Sequence, residues 1–192
     1  MNSSKGRIRI IGGQYRSRLL RVAARPELRP TPDRVRETLF NWLGQDMTGA
    51  ACLDLFAGSG ALGFEAASRG AARVVMVESD RSALRMLEAS RTALGAAQVE
   101  IVGGSAQTYL ERARERFDVV FLDPPFRQNA LPGLIARLPR ILSARARVYA
   151  ESADAVRVEP GWRELRRSRA GGVSYQLFEW GGNDSSDLSG NV

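Results

Sequence analysis

The sequence predicts an α/β fold: a seven-stranded, mostly parallel sheet with helices on both faces. Three observations predict it. From Ala50 onward, short apolar runs alternate with amphipathic stretches at the spacing of successive strand–helix units. A glycine-rich segment, Gly58-Ser59-Gly60-Ala61-Leu62-Gly63, falls at the first junction of strand and helix. Two β-prone runs around Gly171-Gly172 read as an antiparallel pair that closes the sheet with its one antiparallel strand.

The elements follow in order. Residues 1–6 are polar and read as disordered. Residues 7–11 and 18–22 are β-prone runs joined by Gly12-Gly13-Gln14-Tyr15, which predicts a hairpin. A Pro-bearing linker covers 23–30. A helix is expected from Thr31, with Thr31 as N-cap, Pro32 in the first helical position and Asp33 at the positive end of the dipole. Val35, Leu39, Trp42 and Leu43 share one face at helical spacing, and Arg34 and Arg36 fall off that stripe. Strands are predicted at 51–56, 73–78, 99–102, 117–122, 147–151, 163–169 and 173–180. The intervening helices are expected at 61–69, 81–94, 107–114 and near 131–142. The Gly/Asn/Ser/Asp-rich tail 181–192 reads as disordered. The chain thus divides into a basic N-terminal part (1–49), an α/β domain (50–180) and a tail (181–192).

Composition excludes several classes of chemistry. There is no histidine and a single cysteine, Cys52, inside an apolar run. A Ser-His-Asp or Cys-His catalytic set, a multi-Cys/His zinc site and an internal disulfide are therefore impossible. No apolar run is long enough to cross a bilayer, and the N-terminus lacks a signal-peptide core, so the expected location is the cytoplasm. The net charge is +7, and it is unevenly placed: residues 1–36 hold ten Lys/Arg against two acids, whereas the rest is nearly neutral. Positive charge focused in this way fits a polyanion-binding surface.

In an α/β sheet, ligands bind beyond the carboxyl ends of the strands. The first loop there matches G-x-G-x-x-G, and Glu78 lies at the end of the next strand, placed to accept hydrogen bonds from a ribose. Taken alone, this pattern would suggest a nicotinamide dinucleotide. Asp54, at the strand end before the glycines, argues otherwise, because a carboxylate repels a pyrophosphate seated at the helix N-terminus. S-adenosylmethionine has adenine and ribose but no phosphate, and it carries a sulfonium and an amino group that a carboxylate attracts. The alternative is a tight turn in which Asp54 caps the helix or bonds loop amides.

The second loop is Asp123-Pro124-Pro125-Phe126. Two prolines stiffen it and remove two N–H donors, leaving an acceptor-rich edge that suits a planar exocyclic amine. Asp123 orients that nitrogen and stabilises positive charge developing on it. Phe126 offers a face on which an unstacked base rests. The alternative is a Pro-rich turn beside a core phenylalanine.

With both loops placed, the chain resembles the class I methyltransferases of Rossmann-like fold that modify amino nitrogens of nucleobases. More closely it resembles the RsmD family, over residues 7–180. The resemblance rests on Arg9-Ile10-Ile11-Gly12-Gly13, Arg18, the segment 29–37, Asp54-Leu55-Phe56-Ala57-Gly58-Ser59-Gly60, Glu78 and Asp123-Pro124-Pro125-Phe126. It implies S-adenosyl-L-methionine as cofactor, held by Asp54, Phe56, Gly58, Gly60, Glu78 and Asp123, with Ser105 and Ala106 at the adenine. It implies catalysis by Asp123, Pro124 and Phe126. The substrate it implies is 16S rRNA, free or in the assembling small ribosomal subunit, methylated on N2 of one guanine (position 966). Arg9, Arg16, Arg18, Thr31, Arg34 and Arg36 are the residues expected to hold RNA. No metal is expected, and nothing demands more than a monomer. Three other readings stand beside this one: a DNA adenine-N6 methyltransferase, a nicotinamide-dependent oxidoreductase, and a catalytically silent RNA-binding protein.

Overall fold

The computed structural model describes residues 7–21, 32–125 and 130–181. A two-stranded antiparallel hairpin, β1 (Arg7–Arg9) and β2 (Leu19–Arg21), precedes α1 (Asp33–Leu43). Four strand–helix units follow: β3 (Ala51–Asp54) with α2 (Ala61–Ser68), β4 (Arg73–Glu78) with α3 (Arg81–Leu94), β5 (Val99–Gly103) with α4 (Ala106–Arg112), and β6 (Phe117–Leu122) with the short α5 (Leu131–Ile135). The chain ends in β7 (Leu142–Ser152), β8 (Trp162–Ala170) and β9 (Val173–Trp180). The sheet order is β5-β4-β3-β6-β7-β9-β8. All pairs from β5 to β7 are parallel, and β9 runs antiparallel to both its neighbours.

Side chains alternate across each strand, so the sheet has two buried faces. Cys52, Val74, Met76, Val119, Phe121, Tyr149 and Tyr175 lie on the first face, in one core with α1, α2, α3 and the hairpin residues Ile8, Ile10 and Leu20. Leu53, Val75, Val77, Val120, Leu122 and Val148 lie on the second, with Leu110 of α4 and Leu134 of α5. The basic N-terminal part therefore shares its core with the first face.

A buried carboxylate fixes that part to the domain. All eight residues of α2 are buried, including Glu65, which is fully covered. Its two oxygens accept from the backbone N–H groups of Ile11 and Gly12, each at 2.8 Å, and from Arg69 Nε at 2.8 Å. Arg36 Nη1 lies 3.6 Å away, and Arg36 Nη2 donates to the Arg9 carbonyl and to Asp33. One turn on, Ser68 Oγ accepts from Tyr15 N–H and donates to the Gly12 carbonyl, while its own carbonyl accepts from Gln14 N–H. Gly13 has φ +74°, and a Cβ there would stand 1.8 Å from the Ser68 carbonyl oxygen. The pair Gly12-Gly13 thus serves close docking on α2 as well as the turn.

Several expectations need correction. Arg36 does not project from α1. It joins Phe40 and Leu43 on the buried face at i, i+4 and i+7, because Glu65 supplies the charge that makes its burial tolerable. Phe40 is fully buried and packs at 6.2 Å on Phe121, whereas Trp42 is only half-buried. The helix begins at Asp33, with Pro32 in the N-cap position and no side-chain cap. Thr31 lies outside the described residues. The helix expected near 131–142 breaks into α5 and a 3-10 turn, Leu138–Ile141, since Pro139 removes an N–H and its ring clashes with the preceding turn. β7 starts at Leu142 rather than Arg147, and its pairing with β6 is irregular between Phe117 and Val119. Strands β1, β2 and β3 are shorter than expected.

Glu65→Ala should destabilise the protein by about 3–5 kcal/mol, because it strands Arg36 and Arg69 in the interior. Urea unfolding measures this, and a loss below about 1 kcal/mol would show that the carboxylate does not hold the arm.

Candidate active site at the carboxyl ends of β3, β4 and β6

β3 ends on Asp54, and the chain then makes two tight steps into α2. Gly58 (φ +50°) and Gly60 (φ +77°) adopt left-handed conformations, and Gly60 occupies the N-cap of α2. A Cβ on Gly60 would meet Phe64 and Leu87 at 2.6–2.7 Å. Asp54 is nearly fully buried. Its Oδ1 accepts from Phe56 N–H at 3.2 Å, and Gly63 N–H also bonds the carboxylate. The structural alternative, a carboxylate bracing loop amides, is thus realised. Burial, with Glu78 nearby, pushes the Asp54 carboxyl up to about 7 despite those amides. A carboxyl so desolvated gains strongly from a cation placed against it, and this fits an amino or sulfonium group rather than a phosphate.

Glu78 closes β4. One oxygen accepts from Gly58 N–H at 2.8 Å, and the other from Ser79 and Asp80 N–H at 2.8 and 2.7 Å. Glu78 therefore ties the glycine loop to the next strand end, and Asp80 goes on to cap α3 through Ser82 and Ala83 N–H. Phe56 is half-buried against the second core. Beside Glu78, Gly104 N–H donates to the Glu78 carbonyl. Ser105 is the N-cap of α4: its hydroxyl accepts from Thr108 N–H and also bonds the Thr108 hydroxyl. Ala106 is buried and opens α4, where its N–H has no partner within the helix.

β6 leads to the second loop. Asp54 pairs with Phe121, so Asp123 lies two residues beyond that pair on the neighbouring strand. Asp123 is half-buried and Pro124 is buried. Phe126 falls outside the described residues. The structure thus brings together Asp54, Gly58, Gly60, Glu78 and Asp123 at one sheet edge.

The residues expected to hold RNA separate. Arg9, Arg16, Arg18 and Arg34 are exposed, and Arg36 is not, so Arg36 leaves the set. Arg16 lines a groove with Ser68–Arg69–Gly70 at the end of α2, and Arg18 donates to the Ala93 carbonyl in the last turn of α3. Both lie toward the amino ends of the strands, away from Asp54. Arg34 lies in the first turn of α1, whose last turn is tied to Arg147 through the Trp42 and Leu43 carbonyls. That orientation places Arg34 at the site's end of the molecule. Glu65, Ser68, Arg69, Tyr149 and Glu151 escaped sequence reasoning. A lone acid in an otherwise apolar helix was the available signal for Glu65. Among the described residues no group of three or more His, Cys, Asp or Glu is arranged to hold a metal, and no helix is long and apolar enough to cross a membrane.

Sheet order, strand directions and the loops at the carboxyl edge define the fold of the class I methyltransferases. The family model described as Conserved hypothetical protein 95 matches residues 8–179. The chain is 42% identical to ribosomal RNA small subunit methyltransferase D of Escherichia coli K12, over 97% of this chain and 96% of that one. It is 40% identical to the Haemophilus influenzae protein of the same name, over 92% and 96%. The solved structure of Escherichia coli yhhF superposes with a TM-score of 0.84 at 44% identity, covering 91% of this chain and 98% of that one. The fold is shared with an RNA methyltransferase from Salinibacter ruber in complex with S-adenosyl-L-homocysteine, at a TM-score of 0.64 and 22% identity over 84% and 100%. The chain belongs to the RsmD family.

The ionised form of Asp54 is the one that attracts a cationic ligand. The raised carboxyl therefore disfavours binding below pH 7, and affinity grows as pH rises through it. Calorimetry with S-adenosylhomocysteine should show affinity increasing roughly eightfold from pH 6 to 7.5, and Asp54→Asn should flatten the profile. A profile unchanged by Asp54→Asn would remove Asp54 from cofactor binding.

Proposed function

We propose that this protein, working as a monomer in the cytoplasm, transfers a methyl group from S-adenosylmethionine to the exocyclic N2 of one guanine in small-subunit ribosomal RNA. Family membership and fold support the coarser reading, an S-adenosylmethionine-dependent methyltransferase of that RNA. The observation that carries the finer one is the placement of the Asp123-Pro124-Pro125 acceptor edge beside the Asp54 loop, on the sheet face that also holds the basic arm.

When bound, the cofactor supplies an activated methyl on a sulfonium. The rest is the work of the chain. The ionised Asp54 carboxylate balances the cofactor's positive charge, and the loop held by Gly58 and Glu78 sets where the ribose lies. Both Glu78 oxygens already accept from amides, so a ribose hydroxyl uses their remaining lone pairs. The Ala106 N–H is better placed than the Ser105 hydroxyl to meet the adenine, because that hydroxyl is committed to Thr108. Asp123 accepts from the amine and holds its nitrogen lone pair toward the methyl, and Pro124 fixes the loop. Phe126 stacks the base. Arg34 holds phosphates near the site, Arg9 extends the basic surface along the hairpin, and Arg16 and Arg18 can reach only RNA that extends toward the far end of α2 and α3. The target at position 966 follows from the family resemblance.

Transfer of labelled methyl to 16S RNA, free or in assembled subunits, tests the substrate against duplex DNA; preference for DNA would overturn the reading. Asp123→Ala should lower turnover by a factor of about 10² or more while leaving S-adenosylhomocysteine affinity within about threefold. Arg34→Ala should reduce the salt slope of RNA binding by about one without changing stability. Arg36→Ala should behave oppositely, lowering the unfolding midpoint.

A further inference from the structure

Asp123 has a neighbour that the proposed chemistry does not yet use. β6 and β7 run parallel, and their last registered pair is Leu122 with Ala150. The next step of that register sets Asp123 beside Glu151. Parity puts both on the first face: residues 119, 121 and 123 alternate onto it along β6, as do 147, 149 and 151 along β7. Phe121 and Tyr149 are the buried members of these rows. Glu151 is only 6% exposed, and its Oε1 accepts from the Tyr149 hydroxyl at 2.8 Å. Across β7, Glu151 pairs with Tyr175, which stacks at 5.4 Å on Trp42 of α1. Its carboxylate thus stands at the sheet edge between the acceptor loop and the helix that follows the basic arm. Burial holds the Tyr149 phenol well above its ordinary range, with Glu151 and Asp123 both adding to the effect. Tyr149 therefore stays a hydrogen-bond donor and keeps the Glu151 carboxylate oriented.

A purine methylated at N2 presents two donors side by side, N1–H and the N2 amine, and this pair distinguishes guanine from adenine. Asp123 takes the amine. We infer that Glu151 accepts the hydrogen bond from guanine N1–H, with Tyr149 as the residue that positions it, so that two adjacent strands each contribute one carboxylate to read the guanine edge. A carboxylate is the right chemistry, since it offers only acceptors. It rejects adenine, whose N1 is itself an acceptor and whose position 2 bears no amine. This inference rests on the guanine-N2 reading above.

The test uses the full-length protein and small-subunit RNA, in the free or assembled form that it methylates, with the methylated guanine first located by mass spectrometry. That nucleotide is then replaced by 2,6-diaminopurine, which keeps the N2 amine but carries a bare N1 acceptor. The wild-type protein should prefer guanine by about tenfold to a hundredfold in kcat/KM, the range of one well-made base-edge contact. Glu151→Gln can donate from its amide to a bare N1, so it should lose guanine activity and bring that preference close to one. Tyr149→Phe keeps the packing but frees the carboxylate, and it should reduce the preference by a few-fold; it carries the test if Glu151→Gln does not fold. A purely structural role for Glu151 would lower both activities equally and leave the ratio intact, which would overturn the inference. Equal wild-type activity on the two bases would also overturn it while leaving the guanine-N2 assignment standing. Failure of the wild-type protein to methylate any guanine at N2 would instead overturn that assignment.

Discussion

The Glu65 carboxylate is the interaction on which the arrangement of this molecule depends. An isolated ionised carboxylate in a protein interior carries a desolvation penalty of several kcal/mol. Here the Ile11 and Gly12 amides and the Arg69 guanidinium offset it by direct hydrogen bonds, with Arg36 close by. Two of those groups belong to the N-terminal arm, and Arg36 belongs to α1. The hairpin and the helix are therefore obligatory partners of α2. Arg69 extends the link, lying 4.9 Å above the Phe40 ring, and Arg147 donates to the last carbonyls of α1, where positive charge is favoured.

Anchoring on α2 has a consequence at the active site because α2 begins in the loop that Asp54 braces. The same eight-residue helix carries the glycine turn at its first end and the arm at its middle and last turn. Strand parity completes the arrangement. Asp54, Asp123 and Glu151 each stand two residues beyond a first-face residue (Cys52, Phe121 and Tyr149), and that face carries α1 and the hairpin. A shift of one residue in any of these strands would send its carboxylate to the face covered by α4 and α5.

The parallel sheet was legible in the sequence because its signals are local. The strand at 73–78 and the helix at 81–94 agree with the structure to the residue, since a short continuous apolar run (Val74 to Val77) and an Asp80 cap before a Gly95 stop contain their own boundaries. The Asp54–Gly58–Gly60–Glu78 constellation was legible for the same reason: its members sit at fixed offsets in one strand–turn–helix–strand unit. Long-range pairing was not legible. Arg36 read as a solvent-facing cation because its partner, Glu65, is 29 positions away, in a segment whose composition is simply that of a buried helix. Gly12-Gly13 read as a hairpin turn, and only the Ser68 carbonyl beside it shows why a side chain is excluded there. Ser105 read as one of two candidates for the adenine, with Ala106 the other, and the N-cap that its hydroxyl makes on α4 was not read. Glu151 went unread because its significance lies in register with a strand some thirty residues earlier.

A candidate site lined by Asp54, Glu78 and Asp123, with Glu151 inferred beside them, looks ill-suited to a polyanion. The conflict is resolved by where each charge is exposed. Asp54 is buried, and that burial raises its carboxyl to about 7 and so favours the neutral form, which lowers the negative field it projects outward. Glu78 spends its charge on three backbone amides, and Glu151 is nearly covered. What the site presents outward is a short acceptor edge, and in the proposed function a nucleobase would meet it with N–H donors, not with phosphate. On the proposed function, the phosphates of the substrate lie further from the ring, where the exposed arginines of the basic arm and α1, Arg34 among them, can meet them. Over such separations solvent screens charge within about 8 Å at physiological salt, so the carboxylates and the backbone interact weakly. The charge of the chain is divided accordingly: the basic excess lies in the first 36 residues, which suits capture of a polyanion, and the remainder is nearly neutral, which suits the reading of a base by its hydrogen-bonding edge in the function proposed above.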